Sequence, residues 1–263
     1  MFRKAFLSIY TLAAILCITK PGVAQSVHRH YKAVAFDYFV LFNANSVIPH
    51  AEKYFPGKGA EFTKLWRSKQ FEYCYLRTIT NRYEDFFKIT EDALNYTLRA
   101  MKLDMTAEDK KELLNAYLSL DLWPDTKASL QKLKDAGIKI ITIANFSPQM
   151  LRANADKAGI ANMFDVLLST DANHSYKPSA AAYQLGMKKL GFKKEEIVFA
   201  AFGSWDAYGA KCFGYPTYWV NRFSLPREEL GIMPDSTSPD MEGLLKFVLG
   251  RNKKAGCAMR NLL

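Results

Sequence analysis

Apolar and polar positions divide the chain into stretches with different periods. From Ala33 to Phe42, AVAFDYFVLF, apolar residues run almost unbroken, and one carboxylate, Asp37, interrupts them. Such a run reads as a strand buried on both faces, and the first strand is expected within residues 31–42. From Asn45 to Leu120 the spacing turns helical: Phe62, Leu65, Trp66, Lys69 and Tyr73 share one helical face. Thr90 is expected to cap a helix running to Met101. Thr106 with Asp109 three residues on gives a capping-box pattern for the next helix. About four helices and no strand are expected here.

Alternation follows. Asp125 to Ala136 reads as a helix closed by Gly137, and Ile138 to Ile143 as a buried strand. Ser147-Pro148 opens a helix that stops at Gly159. Val166 to Ser169 is expected as a short strand, Ser179 to Leu190 as a helix and Ile197 to Ala201 as a strand. Asp206 to Phe213 is expected as a short helix and Thr217 to Val220 as the last strand. Strands and helices alternating in this way imply an α/β, Rossmann-like, doubly wound parallel sheet. The helical block inserted after the first strand reads as a cap. The expected division is a core of 31–45 and 121–250, and a cap of 46–120.

The ends differ from this body. Arg3 and Lys4 precede an apolar stretch, Ala5 to Ile18, that is shorter than a membrane span, and Gly22-Val23-Ala24 supplies small residues. Residues 1–24 are expected to be a secretory signal cut after Ala24, which would place the protein in the periplasm with no membrane segment left. The formal charge of +10 concentrates in the same ends. Arg3, Lys4 and Lys20, with Arg251, Lys253, Lys254 and Arg260, account for seven of 36 bases and no acids. The remaining 29 bases face 26 acids. A body so nearly neutral argues against nucleic acid as a partner, and 251–263 reads as a flexible basic tail. Of the four cysteines, Cys74, Cys212 and Cys257 survive cleavage. Their number and spacing give no disulfide framework and no zinc site. Cys74 and Cys212, in apolar contexts, are expected to be buried thiols.

In open parallel sheets ligands bind beyond the C-terminal strand ends. Four ends carry polar residues here: Asp37 after the first strand, Asn145 after Ile138–Ile143, Lys177 after the Val166 strand and Asp206 after Ile197–Ala201. Singly each has a plain explanation. Asn145 could stabilise a loop, Lys177 could be a solvated lysine before a proline, and Asp206 could cap a helix. Together they compose a carboxylate nucleophile with support. Lys177 would keep Asp37 ionised, Asn145 can donate to a bound group, and Asp206 can hold Lys177 or orient a water.

This ordered set resembles the haloacid dehalogenase superfamily. The stretches FPGKGAEFTKLWRSKQFEYCYLR (55–77), NFSPQML (145–151), YKPSAAAY (176–183) and SWDAYGAKCFGYPTYWVNR (204–222) are similar to its type II L-2-haloacid dehalogenase branch. The likeness runs from about residue 31 to 248. It implies that Asp37 attacks C2 of an L-2-haloacid and that the resulting aspartyl ester is hydrolysed to a 2-hydroxy acid, with no metal and no cofactor. It further implies that Arg67 meets the leaving halide, with Asn145 and Phe86 beside it. By the same resemblance Lys177 is the catalytic lysine, Tyr183 its neighbour and Asp206 the acid positioning lysine and water, while Phe71 and Trp205 are apolar walls. By their chemistry alone Phe71, Phe86 and Trp205 could equally be core. The partners implied are a small 2-haloacid or related carboxylate and a second copy in a homodimer.

The sequence departs from the branch in places. One residue is missing between Asp37 and Leu41-Phe42, and with it a threonine. Serines are replaced by Ala144 and Ala201, and an asparagine by Gly203. Two other readings follow. A non-catalytic periplasmic binder of small carboxylates would keep Arg67 and Lys177 as anion contacts. A Mg²⁺-dependent phosphatase would need an acid two residues after the nucleophile, where this chain has Phe39.

Overall fold

The computed structural model describes residues 31–260, the last ten as backbone. The expected signal, 1–24, and residues 261–263 lie outside the described residues. β1 (Ala33–Phe36) is an inner strand of the sheet, and all four of its side chains are buried. It is followed by α1 (Tyr38–Leu41), β2 (Phe42–Asn43), α2 (Ile48–Tyr54), α3 (Gly59–Ile79), α4 (Phe86–Met101), α5 (Ala107–Asn115) and β3 (Asp121–Leu122). Then come α6 (Thr126–Asp135), β4 (Lys139–Thr142), α7 (Pro148–Lys157), α8 (Ala180–Leu190), β5 (Ile197–Ala201), α9 (Ser204–Phe213), β6 (Thr217–Val220), β7 (Ser236–Ser238) and α10 (Met241–Arg260). No helix among the described residues is long and apolar enough to cross a membrane.

The sheet order is β4-β1-β5-β6-β7, all parallel. Phe36 pairs with Thr142 on one side and Ala200 on the other, so β1, β4 and β5 end at one level. Whatever follows those strands is delivered to a common rim. This is the doubly wound α/β core expected from alternation. The antiparallel pair β2–β3 joins Phe42 to Leu122 and Asn43 to Asp121, where the chain leaves the core for α2–α5 and returns. Within that helical block Trp66 Nε1 donates to the Thr90 carbonyl (2.8 Å). Gln70 Nε2 donates to Thr90 Oγ1 (3.0 Å), and Tyr117 OH to Gln70 Oε1 (3.1 Å). These three buried groups find partners in one another and in the backbone, as burial demands.

Several elements differ from the sequence reading. The first apolar run is not one strand: it breaks at Asp37, whose Oδ1 accepts from Phe39 N (2.8 Å) and caps the single turn of α1. α4 is capped by Asp85 through Phe87 N and Lys88 N, and Thr90 lies inside it. α9 begins at Ser204, which puts Asp206 in its first turn. Val166–Ser169 makes only two bridges to the β4 side, Ile141 with Val166 and Ala144 with Ser169. Asp165 Oδ2 takes the Ile140 N–H that a ladder would have used (2.8 Å). β7, the polar segment Ser-Thr-Ser, has no apolar run to announce it; it is held at the edge of β6. Cys74 is buried, but Cys212 is exposed on α9. The backbone of 251–260 continues α10 as helix, in place of a loose tail.

Candidate active site

The rim gathers Asp37, Asn145, Lys177 and Asp206. β1 delivers Asp37, whose own N–H donates to the Ala200 carbonyl of β5 (2.9 Å). While Oδ1 serves as the α1 cap, Oδ2 accepts from Lys177 Nζ at 2.6 Å. The same ammonium donates to Asp206 Oδ2 at 2.7 Å. Lys177 and Asp206 are completely buried, and Asp37 is 8% exposed. Tyr183 OH donates to Asp206 Oδ1 (2.7 Å) from behind. α8 and α9 come close enough for this because residue 209 is glycine. A Cβ there would stand 2.6 Å from both Tyr183 OH and Pro178 Cβ.

Burial alone would push the Lys177 ammonium down. The Asp206 and Asp37 carboxylates outweigh it and hold the lysine above its ordinary range. Burial raises Asp206, pushed up to about 7; Asp37 adds to the rise, while Lys177 and the Tyr183 hydroxyl oppose it. Burial likewise lifts the Tyr183 phenol well above its usual value. Lys177 is therefore a fixed cation, and Asp206 is the group poised to change protonation near neutrality.

Asn145, after β4, is oriented by its carbonyl: Oδ1 accepts from Lys177 N (2.9 Å) and from Thr170 Oγ1 (3.3 Å). Its Nδ2 is buried and has no acceptor. A buried amide donor without a partner costs roughly 1–3 kcal/mol, so this atom is suited to an incoming acceptor. Asp37, Asn145, Phe71, Phe86 and Trp205 line one cavity with Phe39 and Phe146. It encloses about 10 Å³ of free space, on the scale of a single water. Phe86 stacks on Phe146 (5.1 Å), and Phe71 packs on Trp205 (5.2 Å).

Two expected residues lie elsewhere. Tyr183 stands behind Asp206 and does not face the cavity. Arg67 lines a neighbouring, larger cavity beyond Phe71. Its guanidinium is held there by Asn45 Oδ1 (2.8 Å) and the Ala44 carbonyl (3.2 Å), and its Nε is buried with no partner. The sequence reading missed Thr170, which fixes Asn145, and the Phe39 amide, which fixes Asp37. The Ser169-Thr170 pair ends the Val166 segment, so counting every hydroxyl at a strand end would have found Thr170. Among the described residues no group of three His, Cys, Asp or Glu could hold a metal. The Phe39 ring, two residues past Asp37, packs on Phe146 and Phe202 instead.

A family profile described as haloacid dehalogenase-like hydrolase matches residues 15–214. The chain is 42% identical over 207 residues to the (S)-2-haloacid dehalogenase of Pseudomonas sp. (strain YL), covering 78% of this chain and 89% of that protein. It is 36% identical over 221 residues to haloacetate dehalogenase H-2 of Moraxella sp. (strain B), covering 84% and 99%. In structure it is similar to the L-2-haloacid dehalogenase of Xanthobacter autotrophicus with chloropropionic acid covalently bound. That match has a TM-score of 0.79 at 32% identity, over 84% of this chain and 99% of that one.

Proposed function

The chain belongs to the family of haloacid dehalogenase-like hydrolases, and on that premise we propose that it is a hydrolytic dehalogenase of small L-2-haloacids. The observation that carries this is the Asp37–Lys177–Asp206 triad, facing a buried amide donor, Asn145 Nδ2, that has no acceptor. Asp37 Oδ attacks C2, the carbon–halogen bond breaks, and the electron pair leaves with the halide towards Asn145. The product is an aspartyl ester. A water then attacks the ester carbonyl and Asp206 in its charged form takes one water proton. On collapse that proton passes to the departing C2 oxygen, the 2-hydroxy acid leaves, and Asp37 loses the second water proton to solvent and is regenerated as a carboxylate. Lys177 stays protonated and balances the charge left on the two acids. The covalent chloropropionate adduct of the Xanthobacter relative supports this route.

The mature protein should release bromide or chloride from an L-2-haloacid and leave the D-isomer untouched. Asp37→Asn should reduce release to background. Binding of both isomers with no halide release from either would instead support a non-catalytic carboxylate binder. Export rests on residues 1–24 alone: N-terminal sequencing of native periplasmic protein should start at Gln25. The proposed homodimer should show twice the chain mass in light scattering.

A further inference from the structure

Arg67 and Asp37 face different cavities, and one side chain, Phe71, belongs to the walls of both. The outer cavity is large, about 470 Å³. It carries two cations, Arg67 and Lys64, on otherwise apolar and neutral walls that include Ile48, Phe223 and Leu225. No carboxylate lines it. Arg67 spends its hydrogen bonds on neutral acceptors and keeps a buried Nε without a partner. A cation with spare donors, set among apolar walls and free of acids, is suited to a small organic monoanion with a short alkyl chain.

The partition is as informative as the chamber. The inner cavity has room for about one water, so no haloacid can reach Asp37 unless a wall moves, and the wall shared with the outer cavity is Phe71, packed on Trp205. The outer cavity has the space to receive a displaced Phe71 ring. Trp205 lies where it does because residue 203 has no side chain. A Cβ on Gly203 would stand 2.6 Å from the indole Nε1 and 3.0 Å from Cδ1. The backbone at 203, φ −84° and ψ 146°, is open to any residue. Gly203 therefore serves the ring and not the turn.

We infer that the outer cavity is an antechamber that captures short-chain monocarboxylates on Arg67 and Lys64, and that the Phe71–Trp205 ring pair is the gate through which they pass to Asp37. The inference rests on the dehalogenase reading only for what happens after passage. Capture and gating concern carboxylates with or without a halogen.

The test separates the two. Propionate cannot lose a halide, so its binding, read by saturation-transfer NMR, is independent of turnover. Bromide release from L-2-bromopropionate and L-2-bromohexanoate gives kcat and kcat/KM on the same full-length mature protein. Lys64→Glu should weaken propionate binding and lower kcat/KM about tenfold at low ionic strength, and the loss should shrink as salt is added. Leu225→Trp, which fills the chamber from an exposed turn, should lower kcat/KM about tenfold and kcat much less, the scale of one lost charged contact. Gly203→Ala should push the indole aside and raise kcat/KM more for the six-carbon substrate than for the three-carbon one. Leu76→Trp, at an exposed position of α3 that lines neither cavity, is the control and should change nothing. If propionate fails to bind, or if binding and kcat/KM are the same in parent, Lys64→Glu and Leu225→Trp, the antechamber is overturned whether or not bromide is released. If binding responds as expected and no variant releases bromide, the antechamber stands and the dehalogenase reading fails.

Discussion

The two sides of the inner cavity are built on opposite principles. On the core side every polar atom is engaged: Lys177 holds two carboxylates, Tyr183 holds the second, and the Phe39 amide holds the first. On the cap side and the β4 rim, donors are spare and contacts are aromatic. Asn145 Nδ2 has no acceptor, nor has Arg67 Nε in the outer cavity beyond Phe71; Phe71 packs on Trp205 and Phe86 on Phe146. A buried charge cluster is tolerable only when fully paired, so the surroundings of Asp37, the proposed nucleophile, are complete without substrate. The Asn145 side, proposed to meet the leaving halide, is incomplete until an acceptor arrives. The difference shows where the fold spends its stability and where it waits for a ligand.

Substitutions can break this contrast. Removing the cation should have the largest effect. Lys177→Met strands two buried carboxylates and should lower unfolding free energy by about 3–5 kcal/mol in denaturant titrations, with loss of halide release. Arg67→Ala removes a half-buried side chain whose partners are neutral. It should lower kcat/KM for halide release roughly 10- to 100-fold, equivalent to a charged hydrogen bond of about 1.5–3 kcal/mol, while shifting stability by less than about 1 kcal/mol. A core-like stability loss at Arg67 would erase the distinction.

Adding to the sparse side sharpens it. Ala144→Ser places a hydroxyl beside Asn145 on the cavity wall and should raise kcat about tenfold. Restoring a side chain at 203 is a different operation, because it collides with Trp205 before it can reach substrate.

Acidity gives the mildest effect. Asp206 titrates near 7 and must be charged to accept a proton, so kcat/KM should rise about tenfold from one unit below that value to one unit above it. Stability should run the other way. The folded state keeps this proton after the unfolded chain has lost it, so the group costs stability as pH rises from the ordinary carboxylate range through about 7. Asp206→Asn should flatten both profiles.

What the sequence shows of this site follows from topology. A parallel sheet with equal strand ends must bring together the residues that follow β1, β4 and β5, so Asp37, Asn145 and Asp206 can be read off as neighbours, and Lys177 joins them from the next segment. The sheet, the inserted helices and the alternation are visible for the same reason: each has a period. Features without a period are not. Asp37 breaks an apolar run whose composition is that of a strand, and only the Phe39 amide bond shows a helical turn. Arg67 sits on the right helix, but its guanidinium is turned to Asn45, a contact no spacing encodes. Trp205 closes the cavity because Gly203 lets it, and that depends on a side chain absent from the sequence at 203. β7 is three polar residues held by an edge.

The central claim is that Asp37 is the attacking atom's residue, and isotopic labelling tests it most directly. In a single turnover with excess protein in H₂¹⁸O, water attacks the ester carbonyl, so one ¹⁸O should appear in the Asp37 carboxylate by peptide mass spectrometry, and the released 2-hydroxy acid should be unlabelled. Label found in the 2-hydroxy acid, with none on Asp37, would mean that water attacks C2 itself and would contradict the account.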